Sequence, residues 1–301
     1  MITLRQLRSV VAVYEEASFT RAASRENATQ SGVSQHVGAV EAALGAQLFS
    51  RNADGVTPTA AGKRYYAHAV QALRRIEQAS LAAKAASQGV SGPVRAGLMP
   101  MFTRAALPPV LDRFLTRHPE IDARITEGYS GALTEMVRAE QLDFALVPAG
   151  SETRGLTISH LVRDREMLVS GAGAGPPHGE PVRLADLPPL NMIAPTRSNV
   201  RREKLEAYFE THGVRIARLL EMDAMMGTLE LVALGNWVSV LPGLICVSDR
   251  AGAIRHVSPI DDPPLFGEFV MIEPARRPIS PQARLFLDAL REEIEGLAQS
   301  M

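Results

Sequence analysis

A single cysteine, Cys246, occurs in 301 residues, so no disulfide can form within the chain and no cysteine-rich metal site is available. Aromatic residues make up only 5%, with one tryptophan, Trp237. No apolar run is long enough for a membrane span, and the opening MITLRQLRSV lacks the hydrophobic core of a signal peptide. These absences predict a cytoplasmic protein with no membrane partner. Catalytic signatures are missing as well. There is no GxSxG, no P-loop, no GxGxxG after a strand and no HExxH. The seven histidines are scattered, and the glycine cluster 171–179 (GAGAGPPHG) contains prolines and leads to no helix.

What is present is 46% apolar residues and a mean hydropathy near zero, enough core for two or three compact units. The net charge of −1 conceals an asymmetry. Residues 1–91 carry +4 and the remainder −5. A basic head on an acidic body fits nucleic-acid binding by the head.

The residues around which the head is organised run from Ser18 to Leu44. Two short helical patterns are separated by a polar break at Glu26, Asn27 and Ala28, the spacing of a helix-turn-helix. Thr29 is placed to cap the second helix, whose Val33, Val37, Val40 and Leu44 form a stripe that requires burial. The opposite face is slim and polar: Ser31, Ser34, Gln35 and Gly38, with Gln30 at the start. Such a face fits a major groove about 12 Å wide. Upstream, Thr3 and Gln6 form a capping box, and Leu4, Leu7, Val11 and Tyr14 give a first helix its apolar face. Downstream, Gly45 reads as a C-cap and Asp54–Gly55 as the turn of a hairpin, with Arg51 at its base as a phosphate or minor-groove contact or a solvated turn arginine. Thr57 and Pro58 then read as the start of a long helix to about Ala86. Its many alanines suit close approach by a second copy of itself, or by its own body.

After a hinge at residues 89–93, strands and helices alternate. Strands are expected at 94–98, 121–126, 143–147, 191–195, 217–222 and 237–242, with helices at 107–117, 130–140, 201–212, 224–234 and 281–297. Strand–helix alternation implies parallel sheet with right-handed crossovers. The body therefore reads as two α/β lobes joined by two crossing segments, lobe I near 91–162 with 268–301 and lobe II near 163–267, with a ligand between them.

The head resembles that of the LysR-type bacterial transcriptional regulators. The blocks that carry the resemblance are LRQLRSVVAV (4–13), SFTRAA (18–23), TQSGVS (29–34), VEAALGAQLFSR (40–51) and VTPTAAG (56–62). The resemblance implies a winged helix-turn-helix domain over 1–58, a linker helix and hinge over 59–90, and an α/β effector-binding domain over 91–301, like the periplasmic binding proteins. It places groove reading on Thr29, Gln30, Ser31, Ser34 and Gln35, and a wing phosphate contact on Arg51. His36 stands where glutamine is usual, in a packing or a phosphate role. Effector residues are expected at Met99, Met101, Phe102 and Thr103 after the first body strand. In lobe II they are expected at Thr196, Arg197, Ser198 and Trp237, although core packing suits the tryptophan equally. Two helix starts facing one cleft suggest an anionic effector. The implied partners are promoter DNA, a small organic acid, a second copy of the chain within a dimer or tetramer, and RNA polymerase; no cofactor or metal is expected. An α/β-cleft enzyme with a helical head is the competing reading, and the missing catalytic signatures count against it.

Overall fold

The computed structural model describes residues 1–52, 55–88, 90–150, 155–197 and 199–300, without the side chains of 51, 52, 55, 82 and 84–88. They form two compact units, residues 1–89 with 274–278, and residues 90–273 with 279–301.

In the first unit, α1 (Leu4–Glu16) begins at the Thr3 capping box, where the side chains of Thr3 and Gln6 serve each other's backbone amides. The helix is covered on more than one side, so Val10, Val11, Ala12 and Val13 are all buried while Leu4 is exposed. Helix α2 (Phe19–Arg25) is capped by Ser18, and Asn27 adopts a left-handed conformation (φ 50°) in the turn to α3 (Gln30–Leu44). Asparagine tolerates that region because its short side chain can bond locally. Thr29 caps α3, accepting from the Gly32 amide at 3.1 Å, and Gly45 ends it in the left-handed region. Val33, Val37 and Val40 join Phe19, Ala22, Ala23, Leu48 and Phe49 in one core. Leu44, expected to complete that stripe, is instead exposed, because the helix ends at Gly45 and nothing covers its last turn.

Strands β1 (Phe49–Asn52) and β2 (Gly55–Pro58) pair antiparallel, and the hairpin tip expected at Asp54 lies outside the described residues. Thr57 does not cap the next helix. It pairs with Ser50 across the hairpin, where their hydroxyls lie 2.7 Å apart, and Pro58 pairs with Phe49. The cap is Thr59, whose Oγ1 accepts from the Gly62 amide at 3.0 Å and donates to the Gln47 carbonyl at 2.7 Å. Strand pairing outcompetes the local Thr–Pro signal by two residues. Helix α4 (Ala60–Gln88) then runs 29 residues, about 43 Å at 1.5 Å per residue. Its first half packs on α1 through Ala69 and Val70 against Val11, and Tyr66 stacks on Tyr14 with ring centroids 3.8 Å apart.

The second unit carries β3 (Gly92–Leu98), α5 (Pro100–Ala105), α6 (Leu107–Arg117), β4 (Ile121–Glu127), α7 (Ser130–Arg138) and β5 (Phe144–Pro148). Then come β6 (Leu156–Gly171), β7 (Leu190–Ala194), α8 (Val200–Thr211), β8 (Ile216–Glu221), α9 (Met225–Ala233) and β9 (Val238–Pro242). A 3-10 turn at Gly243–Asp249, β10 (Arg255–Pro259), β11 (Phe266–Pro274) and α10 (Pro281–Gln299) complete it. Among the described residues, nine strands form one sheet in the order β4-β3-β5-β11-β6-β9-β7-β8, with β10 paired to β6. The parallel pairs β3–β4, β3–β5, β7–β8 and β7–β9 belong to lobes I and II, and the antiparallel strands β6 and β11 run between them. The stretches LTISHLV (156–162) and EMLVSG (166–171) belong to one 16-residue strand, β6.

Candidate functional site

Two regions concentrate the expected site residues. In the head, α3 turns its valine stripe inward and leaves Thr29, Gln30, Ser31 and Gln35 exposed, with Ser34 half-buried beside them. A methyl group added at Gly38 would meet nothing within 4 Å, so this face is open along its length. Thr29 spends its hydroxyl on the cap. His36 is fixed instead of free: its Nδ1 lies 2.9 Å from the buried Ser9 hydroxyl and ties α3 to α1. Glu41, on the last turns of α3, accepts the amides of Leu48 at 2.7 Å and Phe49 at 3.2 Å. One carboxylate thereby sets the hairpin against the helix, a role its sequence position did not announce. The Arg51 side chain lies outside the described residues.

In the body, the sites expected after β3 are occupied differently. Met99, Met101 and Phe102 are buried in the main core, at 1%, 0% and 0% exposure, and face no open cleft. The anion cradle expected at that helix start is also absent. Pro100 has no N–H, and the amides of Phe102 and Thr103 both donate to the Met99 carbonyl. Thr103 is half-buried and donates its hydroxyl to the Pro100 carbonyl and the Glu127 carboxylate. Trp237 is partly buried against the same core, with Arg218 5.4 Å from its ring centroid.

The start of α8 has polar groups facing one another, and their partner is internal. Asp223, between β8 and α9, accepts from the Thr196 amide at 3.2 Å, the Thr196 hydroxyl and the Asn199 amide group at 3.1 Å. Its carboxylate stands where a ligand anion was expected to sit. Arg197 is exposed, and Ser198 lies outside the described residues. Across from Asp223, the Tyr129 hydroxyl of lobe I accepts from the Met225 amide of lobe II at 3.1 Å, and burial pushes its pKa up. The cavity bounded by Tyr129, Asn199, Asp223, Met225, Thr228 and Ser239 holds about 20 Å³, room for roughly one water. The lobes are thus drawn together over a nearly filled cleft.

Behind this cleft β6 carries two buried acids. Glu166 pairs with Arg201 of α8 at 2.6 Å. Asp164 accepts from the Leu244 amide at 2.9 Å, and burial pushes its carboxyl up to about 7. Cys246 is fully buried, and its thiol is pushed well above the usual range by burial, which suppresses the reactive thiolate. Among the described residues no group of three or more His, Cys, Asp or Glu is disposed to hold a metal ion, and no helix is long and apolar enough to cross a membrane.

A helix-turn-helix head followed by a two-lobed α/β body defines a class of ligand-responsive DNA-binding proteins. Residues 4–63 match the family described as bacterial regulatory helix-turn-helix protein, lysR family, and residues 87–295 match the LysR substrate binding domain. The chain belongs to the LysR family of transcriptional regulators. It is 29% identical over 296 residues to the nitrogen assimilation regulatory protein nac of Escherichia coli, covering 98% of this chain and 96% of that protein. Its fold is similar to that of CbnR, a LysR family transcriptional regulator, with a TM-score of 0.56 at 21% identity, covering 96% of this chain and 99% of that one. It is likewise similar to full-length CbnR complexed with its target DNA, at 0.55 and 22%, covering 97% and 99%. The chain is therefore a DNA-binding transcriptional regulator with an effector-binding domain, and its relatives are regulators and not enzymes.

Proposed function

We propose that α3 enters a major groove and reads base edges with Gln30 and Gln35, a glutamine amide being able to pair bidentately with adenine. Ser31, Ser34 and the exposed edge of Thr29 hold register on phosphates, and the assignment of Arg51 to a wing phosphate rests on the resemblance of its motif. The observation that carries this reading is the exposed, uncharged face of α3 opposite its buried valines. Selection of bound duplexes from a random pool, repeated with Gln35→Ala, tests it.

The reading extends to assembly and control. Ala72, Ile76, Ala79 and Ala83 fall at i, i+4, i+7 and i+11 on α4 and are all exposed, a face suited to the same helix of a second copy. A dimer presents two α3 helices to a pseudo-palindromic site, and pairing of dimers gives the tetramer. The effector is a small organic acid that opens the cleft by competing with Asp223 for Thr196 and Asn199. Its binding shifts the population of body conformations and hence the arrangement of the heads on DNA, with RNA polymerase as the downstream partner. Effector-dependent change in DNase protection of the selected operator is the test, with Arg197→Ala expected to blunt the response while basal binding persists.

A further inference from the structure

A second cavity, of about 320 Å³, lies on the other side of Arg201 from the nearly filled cleft. Its walls are the end of β5, the start of β11, β6 and α8, with Pro148, Leu205, Leu265 and Phe269 supplying apolar surface. The volume is that of about ten water molecules, in the range of small-ligand sites. Gly267 lines it and leaves no room for a side chain. A Cβ there would stand 2.9 Å from the Phe269 ring and 3.1 Å from Glu166 Oε1.

Glu166 is 4% exposed, and its two oxygens are used unequally. Oε2 takes the Arg201 guanidinium at 2.6 Å, whereas no hydrogen bond reaches Oε1 among the described residues, and Glu166 lines the cavity. Asp164 lies on the same face of β6 two residues earlier, 1% exposed, and no cation stands within 4 Å of it among the described residues. Glu166 is therefore the buried acid that lines this cavity, with one oxygen committed to Arg201 and the other facing the space. At the mouth, Lys204 is exposed and donates to the Phe266 carbonyl at 2.6 Å, which uses one of its three N–H groups. Glu268 at the rim is already matched by Arg163 at 3.3 Å and His160 at 3.4 Å.

We propose that this cavity binds an α-amino acid with an apolar side chain, its ammonium on Glu166 Oε1, its carboxylate on Lys204 and its side chain against Leu205, Leu265 and Phe269. A neutral or purely anionic ligand would leave Glu166 Oε1 without a donor, and a lone amine would leave the lysine unused. The site is separate from the cleft bounded by Asp223 and stands or falls independently of it.

The test is calorimetric titration of the full-length protein with L-leucine, L-methionine and L-phenylalanine, beside 4-methylpentanoate and 3-methylbutylamine, which are leucine without its amine and without its carboxylate. At least one amino acid should bind with a Kd of about 1 mM or tighter, and its two truncated forms about tenfold more weakly. Lys204→Met, a surface change, should weaken the amino acid about tenfold and leave the amine unchanged, because one charge-assisted contact is removed. Gly267→Ala should abolish binding while the far-ultraviolet circular dichroism and operator affinity stay as in the wild type; if that variant misfolds, Lys204→Met decides. Asp223→Asn should change amino-acid affinity less than about twofold, which separates this site from the cleft. Binding of none of the three amino acids overturns the proposal, as does equal binding of the truncated forms or indifference to Lys204→Met.

Discussion

The Asn199 amide group donates to Asp223 Oδ1 at 3.1 Å, and Thr196 donates to the same carboxylate from both its backbone and its hydroxyl. The start of α8 therefore carries its own anion. A free carboxylate reaching these donors has to displace a tethered one that loses little entropy on binding. Asp223→Ala removes the competitor, and affinity for small carboxylates such as acetate or benzoate should rise about tenfold in that variant. Calorimetry with both proteins measures it, and an unchanged affinity places the effector's charged group elsewhere.

The junction of wing and long helix rests on one glycine. A Cβ at Gly62 would sit 2.0 Å from the Leu48 carbonyl oxygen, a backbone atom that also accepts the Thr59 amide at 2.9 Å. Alanine would gain about 1 kcal/mol of helix propensity. The clash forces the hairpin off the helix and costs about 3 kcal/mol or more, so the steric term wins. Thermal melting of Gly62→Ala should show the head destabilised, and a variant as stable as the wild type would contradict the close approach.

Much of the head could be read in the sequence because its signals are local. The Thr3–Gln6 box, the Thr29 cap, the polar break at Asn27 and Gly45 at the end of α3 each act within four residues. The strand–helix alternation of the body is legible for the same reason. What escaped the sequence is what distance brings together. Thr57–Pro58 has every mark of a helix start, yet pairing with Phe49 and Ser50 holds it in a strand. Glu41 meets Leu48 and Phe49 only because α3 folds back on the hairpin. Asp223 reaches Asn199 across 24 residues, Tyr129 reaches Met225 across 96, and the methionines after β3 are drawn into a core that periodicity alone does not reveal.

Asp164 links stability to pH. Its carboxyl titrates near 3.8 in the unfolded chain and is raised to about 7 by burial in the folded one. Between those values the folded state keeps a proton that the unfolded state has released, so stability falls as pH rises from about 4 to 7 and levels off above. Relative to Asp164→Asn, the wild type should lose about 2–3 kcal/mol between pH 5 and pH 8. Urea denaturation of both proteins at the two pH values checks this. Parallel pH dependence in the two would show that Asp164 is ionised without cost.

The exposed Ile76 sits mid-way along the open face of α4, 48% exposed. Placing a charge there desolvates it in any helix pairing, so Ile76→Glu should lower the molecular mass measured by light scattering at least twofold from that of the wild-type assembly. Far-ultraviolet circular dichroism should be unaltered. An intact assembly would move the interface to another surface.

The claim on which the account turns is that the polar face of α3 reads DNA. The direct test compares the wild type and Gln35→Ala on the operator recovered by selection, across a salt titration. The account predicts that the substitution weakens specific binding by about 1–3 kcal/mol and relaxes sequence preference at one position in each half-site. The slope against salt should not change, because phosphate contacts are untouched. Unaltered operator affinity together with unaltered sequence preference would contradict it and remove Gln35 from the reading face.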